Sequence, residues 1–307
     1  MPTAPSPRLG YALAAAAAAM WALNGSLARF LLDDGVSALA LAQMRSFVSL
    51  VLLVVVLAIL RPKALRIDRR DVPGFAFLGI AGLAAVHLAY FLAIDRLQIG
   101  AALTIQYMGP LLILVWLRVV HGRDLRAGLW AAAALAVAGC FLVVRAYDAG
   151  ALDPLGLLAA GGSAVSFAIY LVASERATRR HPPLTVLAWG LGFASLLWIV
   201  IQPPWAFPFH DFASPSHLAL GIGVAVVGTL LPFICMVTAL RHIPAPRAGV
   251  VATLEPVLAA LIAWVVHEEA LAAVQIAGGL VVVSAVIWVQ ILRVSMETEA
   301  APVQTSR

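Results

Sequence analysis

VVATLEPVLAALIAWVV (250–266) and TIQYMGPLLILVWLRVV (104–120) are two copies of one helical pattern, and together they decide the fold. Both stretches are apolar, and each carries a proline at the same position, Pro256 and Pro110, exactly 146 residues apart in number. Long apolar stretches of about 20 residues indicate helices that cross a membrane. The second copy differs from the first because it also carries a carboxylate, Glu255.

The composition excludes an ordinary soluble domain. The chain of 307 residues is 63% hydrophobic and 11% charged, whereas soluble domains are about half apolar and a quarter charged. The net charge of +5 does not indicate nucleic acid as a partner, because the basic residues lie in short loops between apolar runs. Cys140 and Cys235 lie inside such runs and are predicted to be small buried hydrophobic residues. We therefore predict an all-α polytopic membrane protein whose surroundings are the lipid bilayer.

Apolar runs bounded by charges, proline or glycine predict ten transmembrane helices. Short connections join the runs, so we expect no inserted soluble domain. The predicted bounds are 9–32, 38–60, 71–93, 98–119, 126–145, 153–177, 184–202, 216–240, 246–266 and 271–293.

The second half of the chain repeats the first at a constant offset of 146 residues. Gly82 corresponds to Gly228, and the tripeptide VVH occurs at 119–121 and again at 265–267. The first apolar run has a counterpart deep in the chain. We therefore predict that this run is a transmembrane helix and not a signal peptide.

The repeat divides the chain into two units of five helices, 1–150 and 151–295, and a polar tail at 296–307 that we predict to be disordered and cytoplasmic. Five is an odd number, so the second unit must enter the membrane from the opposite side. The sequence therefore predicts an inverted repeat, an arrangement found in many secondary transporters.

The arginines predict the orientation in the membrane. By the predicted topology, 16 of the 20 basic residues lie on one side. Cytoplasmic loops carry an excess of Lys and Arg, so we expect that side, and with it both termini, to be cytoplasmic. The expected location is the bacterial inner membrane.

Ionisable side chains inside the predicted helices are the first candidates for function, because lipid makes them costly. Glu255 lies near mid-membrane, next to Pro256, and Pro110 produces a helix break at the same depth in the other half. Arg45 and His87 are the other two candidates. For Arg45 we favour a structural ion pair or carbonyl clamp, and an anchor for a substrate carboxylate is the alternative. His87 is either a structural residue or part of a cavity, on one face with Tyr90.

Aromatic and polar residues recur at equivalent positions of the two halves. Trp21 corresponds to Phe167, and Asn24 corresponds to Tyr170. Trp21 and Asn24 share one helix face, and Phe167 and Tyr170 share the equivalent face of the other half, which Ser163 extends. The simplest explanation of each ring is packing, whereas the set suggests a slot for a flat ring. Tyr107, in the fourth helix, is predicted to face the same region with Gln106 turned aside.

The sequence offers no basis for an enzyme. It lacks a nucleotide-binding P-loop, a metalloprotease HExxH motif, and a serine paired with a histidine in a recognisable motif. We therefore expect no catalytic residues, metal or cofactor. An intramembrane enzyme acting on lipid-linked substrates and a scaffold or receptor without transport remain as alternatives from other classes.

Several motifs resemble the EamA-type transporters of the drug/metabolite transporter superfamily. They are WALNGSLARF (21–30), QMRSF (43–47) and the paired Pro110 and Pro256 within a five-plus-five inverted repeat. The resemblance covers about 10–293 and is strongest to bacterial exporters of aromatic amino acids. It implies export of small metabolites, aromatic or other neutral amino acids, with cationic drugs as an alternative. Gly109 occupies the position of the first half that corresponds to Glu255 in the second half. A mechanism with a symmetric pair of carboxylates is therefore excluded.

Together, these observations give the hypothesis of a secondary transporter with alternating access. The expected substrate site is a central cavity formed by the inward-facing residues of both halves. Glu255 would meet a substrate ammonium or carry a coupling proton, and Asn24 or Arg45 would meet the carboxylate. The expected substrate-binding residues are Trp21, Asn24, His87, Tyr90, Tyr107, Ser163, Phe167, Tyr170 and Glu255, and the expected hinges are Pro110 and Pro256.

Overall fold

The computed structural model describes residues 6–94, 96–97, 99–148, 153–267 and 271–299. Helices account for nearly all of this part of the chain. Their bounds are α1 (Pro7–Asp33), α2 (Ala38–Leu60), α3 (Val72–Phe77, Leu78–Ala84 and Ala85–Ile94), α4 (Ile99–Gln106 and Gly109–Val119), α5 (Ala127–Val143), α6 (Pro154–Thr178), α7 (Pro183–Ile201), α8 (Pro215–Ala225, Val226–Leu230 and Leu231–Ala239), α9 (Ala245–Ala252 and Leu254–His267) and α10 (Ala273–Glu299).

The fold is an all-α polytopic membrane protein of ten helices, as predicted. In the described part of the chain, nine helical stretches are long and apolar enough to cross a membrane, and Ala127–Val143 is a shorter apolar helix. The predicted ends agree with the observed ones within two residues except in α10, which continues to Glu299. The first four residues of the predicted disordered tail are therefore helical. The rest of that tail, 300–307, lies outside the described residues.

Proline starts several of these helices. Pro7, Pro154, Pro183 and Pro215 all lie in the first turn of their helix, where the missing N–H leaves no internal hydrogen bond unmade and the fixed φ suits the helix. The sequence therefore marks the starts of α1, α6, α7 and α8 locally.

The breaks in α4 and α9 lie three residues before the prolines that predicted them. The chain leaves the helix at Tyr107 and Met108 in α4 and at Thr253 in α9, and Pro110 is then in the first turn of the helix that follows. Proline is tolerated at a helix start but removes a hydrogen bond to the carbonyl four residues earlier. The disruption therefore falls on the turn that precedes the proline.

Two stretches of π-helix, Leu78–Ala84 in α3 and Val226–Leu230 in α8, were not predicted. By the repeat offset of 146, the second stretch corresponds to residues 80–84, the last five residues of the first stretch. A π-helical turn leaves the regular hydrogen-bond ladder of an α-helix and often marks a functional site. The two halves therefore share an irregularity in their third helix as well as the break in their fourth.

The two repeats interlock through equivalent contacts at the π-helical stretches. A Cβ at Gly82 would lie 3.1 Å from Cα of Tyr170, and a Cβ at Gly228 would overlap the amide of Asn24. By the repeat offset, Gly82 corresponds to Gly228 and Tyr170 corresponds to Asn24. The two contacts are therefore equivalent in the two halves. Glycine at these positions lets α6 approach α3 with the backbone of Tyr170 and lets α1 approach α8 with the side chain of Asn24.

The helix pair α5 and α10 closes the side of the bundle. A Cβ at Gly139 would lie 2.8 Å from the carbonyl oxygen of Gly278, and a Cβ at Gly278 would lie 2.8 Å from that of Gly139. Such reciprocal glycine contacts let helix backbones approach closely in a membrane, where packing replaces the hydrophobic effect as the main source of association.

Candidate functional site

The broken helices of the two repeats meet at one hydrogen bond. Tyr107, at the break in α4, donates its hydroxyl to the carboxylate of Glu255 in the first turn after the break in α9. Tyr107 is buried, and Glu255 is partly buried. The bond therefore joins the first repeat to the second at the depth where both helices are interrupted.

Aromatic rings extend from this bond toward the middle of the bundle. The ring of Tyr107 lies 6.2 Å from that of Phe167, and Phe167 lies 6.3 Å from Tyr170. Tyr170 makes an edge-to-face contact with Phe233 at 5.2 Å. Such edge-to-face geometry is favourable for aromatic pairs.

Phe233 is a central member of the cluster that the sequence analysis missed. Its ring lies 5.4 Å from Trp21 and 6.0 Å from His87 as well as next to Tyr170. Phe233 corresponds to His87 by the repeat offset, and that correspondence was the signal that would have found it. The structure thus brings Trp21, His87 and Tyr170 together around a residue from α8.

Arg45 clamps the π-helical stretch of α8. Its Nη2 donates to the carbonyl of Gly228 at 2.9 Å, and its Nε donates to Oγ1 of Thr229 at 2.6 Å. The residue four positions after Gly228 is Pro232, which has no N–H to offer that carbonyl in an α-helix. The guanidinium supplies a donor in its place, which agrees with the carbonyl clamp favoured for Arg45.

Ser49, one turn after Arg45 on α2, bonds to the backbone next to the same stretch. Its hydroxyl donates to the carbonyl of Ala225 at 2.8 Å. Two residues on one face of α2 therefore bond to backbone carbonyls just before the π-helical stretch and within it. No feature of the sequence indicated this role for Ser49, because a serine in a membrane helix usually bonds within its own helix.

The charged groups of the cluster interact beyond direct contact. Arg45 interacts electrostatically with Glu255, with Tyr90 and with His87. Within the described residues Arg45 and Glu255 do not form an ion pair within 4 Å, so their charges attract each other only at longer range. Tyr90 therefore lies within electrostatic range of both Arg45 and Glu255.

Some predicted site residues are held by structural hydrogen bonds. The hydroxyl oxygen of Ser163 lies 3.2 Å from the carbonyl oxygen of Val86 and 2.7 Å from the amide oxygen of Gln106, so its single O–H is shared between these two acceptors. Gln106 is thus a partner of α6 and does not simply turn aside. Nδ1 of His87 donates to the carbonyl of Leu83 at 2.8 Å, because a carbonyl can only accept.

Two polar atoms at equivalent positions of the repeat are buried and lack a hydrogen-bond partner among the described residues. They are Oδ1 of Asn24 and the hydroxyl of Tyr170. Buried polar atoms usually have a partner, and an unsatisfied one needs an explanation. Both belong to the helix faces that the sequence assigned to the site.

Two cavities lie away from this cluster. Cavities of about 860 Å³ and about 440 Å³ open at the arginine-rich end of the bundle. None of the predicted substrate-binding residues lines either cavity. The rings around Phe233 contact one another directly, at centroid distances of 5.2 Å to Tyr170 and 5.4 Å to Trp21.

An all-helical bundle of two interlocked five-helix repeats, with broken helices and buried charges between them, defines a carrier-type membrane transporter. The chain matches the model of the EamA-like transporter family at residues 8–145 and again at 154–291. The chain belongs to this family.

Curated relatives agree with this class. The chain is 29% identical over 224 residues to the threonine/homoserine exporter RhtA of Salmonella typhimurium strain SL1344, covering 72% of each chain. It is 27% identical over 229 residues to the RhtA exporter of Escherichia coli K12, again covering 72% of each. An uncharacterized inner membrane transporter of Salmonella typhimurium LT2, YicL, is 24% identical over 294 residues, 93% of this chain and 96% of that one.

A solved crystal structure shares the fold. It superposes with a TM-score of 0.77 and covers 94% of this chain and 98% of its own, at 21% identity. This likeness shows the fold alone. The family and the relatives identify a multi-pass membrane transporter of small metabolites, and they exclude the enzyme that the sequence analysis kept as an alternative.

Proposed function

We propose that this protein exports neutral amino acids, including aromatic ones, by alternating access at the cluster around Tyr107 and Glu255. The observation that carries the proposal is the hydrogen bond between these two residues. It joins the two repeats where their helices break, beside a buried cation and a set of aromatic rings.

The charges of the cluster suit the two ends of a zwitterion. The Glu255 carboxylate accepts from Tyr107 and retains lone pairs for a substrate ammonium. Arg45 uses two of its five N–H donors on Thr229 and Gly228, which leaves three for a substrate carboxylate. Oδ1 of Asn24, which has no hydrogen-bond partner in the described part of the chain, adds an acceptor near Gly228.

The aromatic rings suit an apolar or flat side chain. Trp21, Phe167, Tyr170 and Phe233 contact one another edge to face or tilted. A substrate ring that inserts between two of these side chains makes aromatic contacts with both of them. These contacts replace the contact that the two side chains make with each other.

Movement between states would use the irregular segments. The breaks before Pro110 and Pro256 and the π-helical stretches of α3 and α8 interrupt the regular backbone ladder at related places. Transporters often form their substrate sites from such discontinuous helices, and we place the hinges at these same interruptions. In this proposal the arginine-rich end and both termini face the cytoplasm of a bacterial inner membrane, and Glu255 carries a coupling proton or binds the ammonium.

A second candidate substrate class is small hydroxylated amino acids, because two curated relatives are named threonine/homoserine exporters. The unpartnered hydroxyl of Tyr170 and Oδ1 of Asn24 are groups that would bond to a substrate hydroxyl. Cationic drugs are disfavoured as substrates, because Arg45 and Glu255 both lie in the cluster and leave no net negative charge.

Efflux from proteoliposomes tests the proposal. Vesicles are loaded with radiolabelled phenylalanine, threonine or a quaternary ammonium drug, with and without a pH gradient. Glu255→Gln and Trp21→Ala should each reduce amino acid efflux at least ten-fold, since each removes an interaction made at the substrate, of about 1.4 kcal/mol or more.

Matched controls are Asp68→Asn and Trp205→Ala, because Asp68 and Trp205 are exposed and remote from the cluster. Wild-type efflux in both site variants would contradict the proposed site. Efflux of the drug but of neither amino acid would contradict the proposed substrate, and a stronger threonine than phenylalanine signal would assign the second class.

A further inference from the structure

The larger cavity is a groove that the transport cluster does not use. It has a volume of about 860 Å³ and lies between the start of α3, the second half of α4 and the end of α6. Its apolar wall includes Phe77, Leu112, Val165, Ile169 and Val172.

The apolar wall is open toward lipid. Phe77 is 54% exposed and Val165 is 50% exposed. Val165, Ile169 and Val172 follow one another at spacings of four and three on α6, so they form a continuous stripe on one face. An acyl chain could lie along this stripe with apolar contacts throughout.

The other end of the groove is cationic. Arg70, Arg176, Arg179 and Arg180 line it. Arg70 pairs with Asp68, and Arg179 pairs with Glu175, whereas Arg176 and Arg180 have no carboxylate partner among the described residues. Asp71, the carboxylate that lines the groove, bonds to His181 at 3.1 Å.

Arg176 is held in place on the groove wall. Its guanidinium lies 5.5 Å from the ring centroid of Trp116 and 3.4 Å from Nε2 of His121. A cation over an aromatic face keeps its charge while the side chain is positioned. Arg176 is therefore a positive charge held in position on the groove wall. Arg180 adds a second positive charge that is not neutralised by a carboxylate of the described residues.

The length of the groove matches one leaflet. Val165 lies near the middle of α6, and Arg176 lies eleven residues further along, which corresponds to about 17 Å at the rise of an α-helix. Half of the hydrocarbon core of a bilayer is about 15 Å. The distance from the apolar wall to the arginines is thus the distance from the bilayer centre to the headgroups.

We propose that this groove binds one anionic phospholipid, with an acyl chain along Val165, Ile169 and Val172 and the phosphate between Arg176 and Arg180. Basic pockets between transmembrane helices are suited to such headgroups. The site is separate from the transport cluster and does not depend on which amino acid is carried.

Native mass spectrometry of the full-length protein, released from nanodiscs that contain phosphatidylglycerol or phosphatidylcholine, tests this site. Wild-type protein should retain one phosphatidylglycerol and release phosphatidylcholine. Each arginine near a headgroup contributes about a five-fold factor in affinity, so Arg176→Gln with Arg180→Gln should weaken retention about 25-fold. Val165→Trp, which fills the apolar wall, should weaken it as well.

The control is Arg61→Gln with Arg66→Gln, which removes the same charge from the loop between α2 and α3, outside the groove. Arg180→Gln alone covers the case in which loss of the Arg176 contacts unfolds the protein. The proposal is overturned if both lipids are retained equally, if the control weakens retention as much as the groove variant, or if excess inorganic phosphate displaces the bound lipid.

Discussion

Asn24 of α1 lies directly on the backbone of Gly228 in α8, and no side chain fits between them. The contact joins the first repeat to the second, and Arg45 holds the same glycine by its carbonyl. Its equivalent in the other half is the contact of Tyr170 with Gly82. The close approach at this glycine is therefore a main feature of the interface between the repeats.

Gly228→Ala should destabilise the protein by about 1–3 kcal/mol, because the new methyl group overlaps the amide of Asn24. Gly223→Ala in the same helix is the control, since a Cβ there has open space. Thermal unfolding in detergent measures both. Adding Asn24→Ala to Gly228→Ala should restore part of the loss, and equal melting temperatures for the two glycine variants would contradict the contact.

Arg45→Ala should destabilise the protein because it leaves the carbonyl of Gly228 without the guanidinium donor. A hydrogen bond from a charged group contributes about 1.5–3 kcal/mol. Pro232→Ala restores an N–H four residues after Gly228, so it should reduce the cost of Arg45→Ala in a double-mutant cycle. Denaturant titration of the four proteins gives the coupling energy, and additive effects would show that Pro232 does not explain the clamp.

Tyr107→Phe should lower transport because it removes the hydrogen bond between the broken helices while it keeps the ring. We expect about a ten-fold fall in transport efficiency, since leaving a partly buried carboxylate with one donor fewer costs about 1–3 kcal/mol. Tyr147→Phe, at an exposed tyrosine, is the control. Efflux from proteoliposomes measures both, and unchanged efflux in Tyr107→Phe would remove this bond from the mechanism.

Asp153 should make the stability of the protein depend on acid pH. The N–H of Gly156 lowers the pKa of its carboxyl below the ordinary value of 3.8, and the N–H of Leu155 and the charge of Arg96 act in the same direction. A lowered pKa in the folded state means that the stabilisation is fully present above the unfolded pKa and is lost as pH falls through the folded pKa.

Melting temperatures measured from pH 5 downward should therefore fall less in Asp153→Asn than in the wild type, because asparagine also caps a helix but does not titrate over this range. Asp148→Asn, at a carboxylate outside the α6 cap, serves as the control. Identical pH profiles for wild type and Asp153→Asn would contradict the role of the cap.

The sequence was sufficient for the helices because their signals are local. Apolar length sets the spans, proline in the first turn marks the starts of α1, α6, α7 and α8, and the offset of 146 residues relates the two halves. The offset also relates two contacts of the structure to each other: the contact of Asn24 with Gly228 and the contact of Tyr170 with Gly82. Because the chain contains the same pattern twice, each residue of one repeat can be compared with its equivalent in the other repeat.

The site was only partly predictable, because contacts between distant residues do not follow from the properties of each residue. His87 was singled out as an ionisable residue, while its equivalent, Phe233, passed as an ordinary apolar residue although three predicted site residues surround it. Ser49 and Thr229 were missed for the same reason, since their roles depend on carbonyls and donors of another helix.

Sequence alone determined that this chain is a ten-helix inverted repeat in a membrane, because apolar length, proline position and internal repetition are properties of the chain itself. Only the tertiary structure decided that Tyr107 bonds to Glu255 and that Arg45 holds the π-helical stretch of α8. Those partners are 148 and 183 or more residues apart. Their pairing is fixed by how closely the helix backbones approach, which the glycines of the interface allow.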